Sequence, residues 1–228
     1  MKIWPFDFAA KESGGYYISN EDLKRALEPF AKIRKAVGDK MDIMVELHSL
    51  WRFPAAIKIA EALEEFDPFW YEDPIRMDSI EAVAEFAAAT NVPVCASETL
   101  GARYEHKQIL EAGAAGIIMP DITWCGGITE AKKIAVLADT YHRPIAPHDC
   151  SGPVALMACI HVSLNAPNTL IQETVRAFYT GWYKELVTVL PDIRDGHVYP
   201  PEGPGLGTDI LPEVFERKDI HATVTEAD

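Results

Sequence analysis

Seven short apolar runs recur along the chain, each bounded by a turn-forming residue or closing on a polar one. They are residues 1–4 (MKIW), 42–48 (DIMVELH), 68–73 (PFWYED), 92–98 (VPVCASE), 115–121 (AGIIMPD), 143–149 (RPIAPHD) and 169–173 (TLIQE). Apolar side chains on consecutive positions mark strands buried on both faces, the habit of a parallel sheet. Helical patterns fill the intervals. Residues 20–37 place Leu23, Leu27, Phe30 and Ile33 at three- and four-residue steps, with Ser19 or Asn20 as a cap and Gly38 as a stop. Residues 54–66 open on Pro54, which suits a first turn, and residues 78–89 open on Asp78 as a cap. The stretches 103–112, 127–141 and 153–165 are three more, and Gly113 ends the first of them.

The polar residues that end the runs are evenly spaced. Glu46, Glu72 and Glu98 are 26 residues apart, and Asp121, His148 and Glu173 follow after 23, 27 and 25. One strand-helix unit needs about this length, so these residues fall on one rim of a (β/α) barrel. The rival is an open doubly wound sheet, which ordinarily carries a glycine-rich phosphate loop after its first strand. No GxGxxG is present, and Gly126-Gly127 is a weak substitute. Seven strands leave a barrel one short, and the gap needs a cover. The spacing therefore predicts a barrel domain over residues 1–190. Residues 191–228, rich in Pro and Gly, form an irregular tail.

Composition narrows the class. With 228 residues, 48% of them hydrophobic and 25% charged, the chain fits a soluble globular protein of one large domain or two small ones. Asp and Glu number 35 against 21 Lys and Arg, a formal charge of −14. Such a surface repels a nucleic-acid backbone. No run approaches the roughly 20 apolar residues of a membrane span, and the first fifteen positions lack a signal-peptide layout. Cys95, Cys125, Cys150 and Cys159 form no CxxC pair and predict reduced thiols in a cytoplasmic protein.

Three carboxylates converging at the rim repel one another unless they are protonated or share a cation. Hard oxygen donors suit Mg²⁺, so Glu46, Glu72 and Glu98 are candidate ligands; the alternative is three solvated rim acids. Asp121 beside His148 would fix the imidazole tautomer and raise its basicity, giving a general base. Alternation from Glu46 points His48 to the same side of its strand. Lys2 stands either near the cation or as a surface lysine at the chain start. His106, His142, His161, His197 and His221 are assigned structural or surface places.

Several strings together resemble the barrel domain of the enolase superfamily, in its mandelate racemase subgroup. They are KIWPFD at 2–7, VELH at 45–48, WYEDP at 70–74, SETL at 97–100, MPDITWCGGITE at 119–130, APHDCSGP at 146–153 and QET at 172–174. The resemblance covers about residues 1–207, and the ordered set is more specific than any one string. It implies an α/β fold, an enolase-type (β/α) barrel that is incomplete, with about seven strands and without the family's first strand and N-terminal capping domain. A truncated chain, half of a split enzyme, or a late start would each produce that pattern.

The resemblance also implies roles. Glu46, Glu72 and Glu98 would bind Mg²⁺, Asp121 and His148 would form the base, and Glu173 would hydrogen-bond the substrate's carboxylate or enolate. Lys2 would assist there, and His48 would be the acid for a leaving hydroxyl, as in acid-sugar dehydratases. Two positions depart from the family: Glu46 stands where Asp is usual, and Trp4 stands where racemases carry a second lysine. The implied activity is a Mg²⁺-dependent dehydration of a sugar acid to a 2-keto-3-deoxy acid. The rivals are a racemase or epimerase of a 2-hydroxy acid and a non-catalytic barrel fragment that needs a complementary chain; a cycloisomerase fits less well, since Asp121 stands where those enzymes carry a lysine. The expected partners are a small carboxylate substrate and either further copies of the chain or a complementary N-terminal segment.

Overall fold

Residues on the two faces of each strand pack into different places. Met44, Trp70, Cys95, Ile117, Met119 and Ala146 pack against one another inside the barrel. Val45, Tyr71, Val94, Ala96, Ile118 and Ile145 pack outward against the helices. This double burial explains why the strands read as unbroken apolar runs.

The computed structural model describes residues 1–223. Five parallel strands lie side by side in chain order: β1 (Lys2–Ile3), β2 (Met44–Glu46), β3 (Trp70–Glu72), β4 (Val94–Ala96) and β5 (Ile117–Ile118). The last two predicted strands continue the same parallel order through isolated bridges, Ile118 to Ile145 and Asp121 to His148, then Ile145 to Thr169. Around the strands lie α1 (Asp7–Ser13), α2 (Asn20–Val37), α3 (Phe53–Leu63), α4 (Ile80–Ala89), α5 (Arg103–Glu111), α6 (Ile128–Thr140) and α7 (Pro153–Asn165). The predicted α/β barrel, incomplete at seven strand positions, is the observed architecture.

Local chemistry fixes the helix ends. The Ser19 hydroxyl accepts a hydrogen bond from the Asp22 amide at 3.0 Å and caps α2. Gly38 ends it with φ of 58°, a conformation that glycine takes without steric penalty. Ser79, not Asp78, caps α4, because the Asp78 carboxylate is held by Arg76, whose Nε donates to it at 2.8 Å. Short α1 was not signalled by its sequence; Phe6, Ala9 and Ala10 bury it against the core.

No backbone hydrogen bond joins β1 to the 169–173 segment among the described residues. A cavity of about 470 Å³ occupies that gap, lined in part by Lys2, Trp4, Met44, Trp70, Ile171 and Arg176. Beyond it, α8 (Arg176–Tyr179) leads toward a hairpin of β6 (Ile193–Arg194) and β7 (His197–Val198). Val187 and Ile210 form an antiparallel bridge, and Val214 is buried. Positions 224–228 of the tail expected over 191–228 lie outside the described residues.

Candidate active site

The inner face of the sheet carries the site to one rim. Glu46 stands two residues past Met44, Glu72 two past Trp70, Asp121 two past Met119 and His148 two past Ala146. Side chains two apart share a strand face, so apolar interior residues give way to polar ones at the C-terminal end. Lys2 pairs with Met44 in register, and Glu46 lies directly opposite Glu72. Glu98 departs from the parity: Ser97 is the next inner residue after Cys95, and Glu98 follows it in the turn.

Glu46, Glu72 and Glu98 converge, each offering a carboxylate oxygen within 4.8 Å of the others. Glu46 and Glu72 are buried, and Glu46 Oε2 has no hydrogen-bond partner. Glu46 Oε1 accepts from the His48 amide at 2.5 Å, and Trp70 Nε1 donates to Glu72 Oε2 at 3.0 Å. Burial, and next the neighbouring Glu72, push the Glu46 carboxyl well above its ordinary range. An orphaned buried oxygen, facing acids and an all-oxygen donor set fit a small hard divalent cation.

Lys2 reaches the same point from β1. Its Nζ lies 2.5 Å from Glu72, 2.6 Å from Glu173 and 3.5 Å from Glu46. Burial alone would depress this ammonium, but Glu72, Glu173 and Glu46 outweigh it and hold it above its usual value. The surface-lysine alternative is thereby excluded: the side chain is only 16% exposed.

His148 is also buried. Its Nδ1 lies 2.7 Å from Asp121 Oδ2, and its Nε2 lies 2.6 Å from Glu98 Oε2. The other Asp121 oxygen accepts from the Thr123 amide at 2.7 Å and from the Trp124 amide at 3.1 Å. Trp124 then stacks on the imidazole, 5.7 Å between ring centres. Burial disfavours the imidazolium, but Asp121, Cys150 and Glu98 overcome it, so the group is raised. Glu173 Oε2 accepts from the Asp149 amide at 3.0 Å and lies 3.9 Å from His148 Nε2. Burial raises the Glu173 carboxyl, with Lys2 opposing.

His48 also reaches the site, though not by strand alternation. The chain leaves β2 after Glu46, and His48 takes a left-handed conformation, φ 51°. Hydrogen bonds on either side, Leu47 N to Glu72 O at 3.0 Å and Ser49 N to Asp73 O at 2.8 Å, pin that turn. Sequence reasoning missed four neighbours. Asp7 meets His48, Trp124 covers His148, Asp149 lies buried behind Glu173, and Asp73 accepts from the Ser97 hydroxyl at 2.6 Å. Asp7 and Trp124 lie inside the strings KIWPFD and MPDITWCGGITE, a signal that went unused. His106 is buried in α5, and the remaining histidines take no part in the cluster.

A parallel barrel with an acidic triad, a lysine and an Asp–His pair on its C-terminal rim defines a known class of α/β scaffold. Residues 1–214 match the model of the enolase C-terminal domain-like family, and the chain belongs to that family. It is 35% identical over 204 residues to a D-galactonate dehydratase of Ralstonia nicotianae, a match covering 87% of this chain and 53% of that protein. It is 32% identical over 197 residues to a D-xylonate dehydratase of Haloferax volcanii, covering 86% and 48%. A crystal structure of an enolase of the mandelate racemase subgroup from Agrobacterium tumefaciens superposes with a TM-score of 0.91 at 56% identity, covering 95% of this chain and 59% of that one. The chain thus spans about half the length of the curated relatives it matches. No described helix is long and apolar enough to cross a membrane.

Proposed function

We propose that the chain forms the catalytic barrel of a Mg²⁺-dependent sugar-acid dehydratase. The observation that carries the reading is the convergence of Glu46, Glu72, Glu98, Lys2 and the Asp121–His148 pair on one rim. The substrate is a small carboxylate with a hydroxyl on the β carbon. Removing its α-proton creates a second negative charge beside the carboxylate, and stabilising that charge is the main catalytic task. When bound by the three glutamates, Mg²⁺ supplies Lewis-acid stabilisation of that charge.

Lys2 adds a fixed positive charge at the same place, and Glu173, whose carboxyl burial raises, donates a hydrogen bond to the substrate oxygens in its protonated form. His148, held by Asp121 through Nδ1, takes the α-proton at Nε2; it would be neutral there once a cation engages Glu98 and that carboxylate no longer holds the Nε2 proton. The C–H electrons form the new double bond as the β C–O bond breaks. His48 gives its proton to the departing hydroxyl, which leaves as water. The enol product then tautomerises to a 2-keto-3-deoxy acid. The expected assembly state is an oligomer, because among the described residues the edges on both sides of the gap are unpaired.

The test is a panel of sugar acids incubated with the protein and Mg²⁺, with keto product scored by a carbonyl reagent. Keto product, lost in His148→Asn together with exchange of the α-proton for solvent deuterium, supports the reading. Stereoinversion with no keto product points instead to a racemase or epimerase and overturns it.

A further inference from the structure

A second, more exposed imidazole at the rim has the same two kinds of neighbour as the first, a carboxylate at Nδ1 and a tryptophan. His148 has a carboxylate on Nδ1, from Asp121, and an exposed tryptophan against its ring, Trp124. His48 has a carboxylate 3.0 Å from Nδ1, from Asp7, and an exposed tryptophan, Trp4, edge-on at 6.1 Å between ring centres. Two unrelated parts of the chain, the start of α1 and the turn after β2, build this second pair. Neither partner floats. Phe6, fully buried beside Phe30, anchors the chain next to Asp7, and the left-handed turn at His48 is pinned by its flanking amides. Both side chains stay partly open, at 35% and 20% exposure, so a ligand can reach them.

We propose that Asp7 is a positioning residue that holds His48 with its proton on Nδ1 and so presents Nε2 to the substrate. This rests on the reading of the site as a dehydratase in which His48 serves the leaving hydroxyl. An ionised carboxylate only accepts hydrogen bonds, so a carboxylate at Nδ1 selects the tautomer with hydrogen there. Proton exchange is then confined to Nε2, the atom on the far side of the ring. The competing role for Asp7 is an acid in the first turn of α1, where a negative charge favours the helix N-terminus. That role concerns stability alone and is blind to which imidazole nitrogen carries hydrogen.

The experiment uses the full chain with ¹⁵N-labelled histidine, recorded on the alkaline side of the imidazole titration, the His48 signals being assigned by their loss in His48→Gln. The proposal expects hydrogen on Nδ1 in the wild type. It expects a shift to Nε2 in Asp7→Asn, whose amide N–H can donate to Nδ1, and a return to Nδ1 in Asp7→Glu. In the dehydration assay Asp7→Asn should lose about ten- to a hundredfold in kcat with KM little changed, and Asp7→Glu should recover much of it. Hydrogen on Nε2 in the wild type, or an Asp7→Asn variant that lowers only the melting temperature, overturns the proposal. If no sugar acid is turned over, the dehydratase reading fails, while the tautomer measurement still decides the role of Asp7.

Discussion

Lys2 and Glu173, which sit on the two unpaired edges of the barrel, meet across the gap at 2.6 Å. Where the backbone does not close the ring, a charge pair bridges it. Lys2 is at the same time the neutralising charge for Glu72. Removing a buried partner leaves carboxylates without compensation, which costs about 3 kcal/mol or more. Lys2→Met should therefore lower the unfolding free energy by about that amount in denaturant titration. Mg²⁺ should recover part of it, since it neutralises the same acids. An unchanged midpoint would show that the pair contributes nothing.

Mg²⁺ should bind and stabilise. At a hundredfold excess over its dissociation constant the gain is about 2.7 kcal/mol, visible as a rise in Tm. Glu72→Gln removes one of the three donors and should weaken the binding severely in titration calorimetry. Equal binding by wild type and variant would place the cation elsewhere.

Asp149 gives the fold a pH dependence. Both carboxylate oxygens are buried without hydrogen-bond partners. Burial first, and then the charge of Glu173, push this carboxyl up to about 7. A raised carboxyl favours the folded state while it is protonated. That contribution is complete below the unfolded value near 4 and is lost as the pH rises through about 7. Thermal melts of wild type should fall between pH 5 and pH 8 by more than those of Asp149→Asn, the difference corresponding to a few kcal/mol. Parallel profiles would mean that Asp149 does not titrate in this range.

The open edge should drive association. Met1, Trp4 and Ile171 are exposed apolar side chains bordering the gap. Exposed apolar surface next to unpaired strand edges promotes pairing with another chain. Light scattering after size exclusion of the 228-residue polypeptide should find dimers or larger species. A stable monomer at high concentration would count against this.

The rim was legible in the sequence because double burial makes each strand an apolar run whose first polar residue marks its end. That is how Glu46, Glu72, Asp121 and His148 could be placed together. Glu98 was included by spacing alone, and its side chain reaches the site from a turn, out of step with β4. His48 was expected on the rim by alternation, whereas the structure puts it in a left-handed turn just past β2. Asp7 stood inside the string KIWPFD without an assigned role: nothing in the pattern around Pro5 predicted α1, and its contact with His48 spans 41 positions of chain. The sixth and seventh strands were legible as apolar runs, but the one-sided pairing of the seventh was not, because pairing depends on neighbours and not on composition.

That unevenness has a dynamic consequence. β2 and β3 are in register from Met44–Trp70 to Glu46–Glu72 and have a strand on each side, whereas among the described residues the segment bearing Glu173 is bonded on one side only, Leu170 N to Ile145 O at 2.8 Å and Glu173 N to Pro147 O at 3.4 Å. Opening events cost least where cross-strand bonds are sparsest. Amide exchange should consequently be slowest around Val45 and Tyr71 and fastest from Thr169 onward. Glu46 and Glu72 thus sit on strands held from both sides, whereas Glu173, on a segment held from one side, keeps its place through Lys2 and the Asp149 amide.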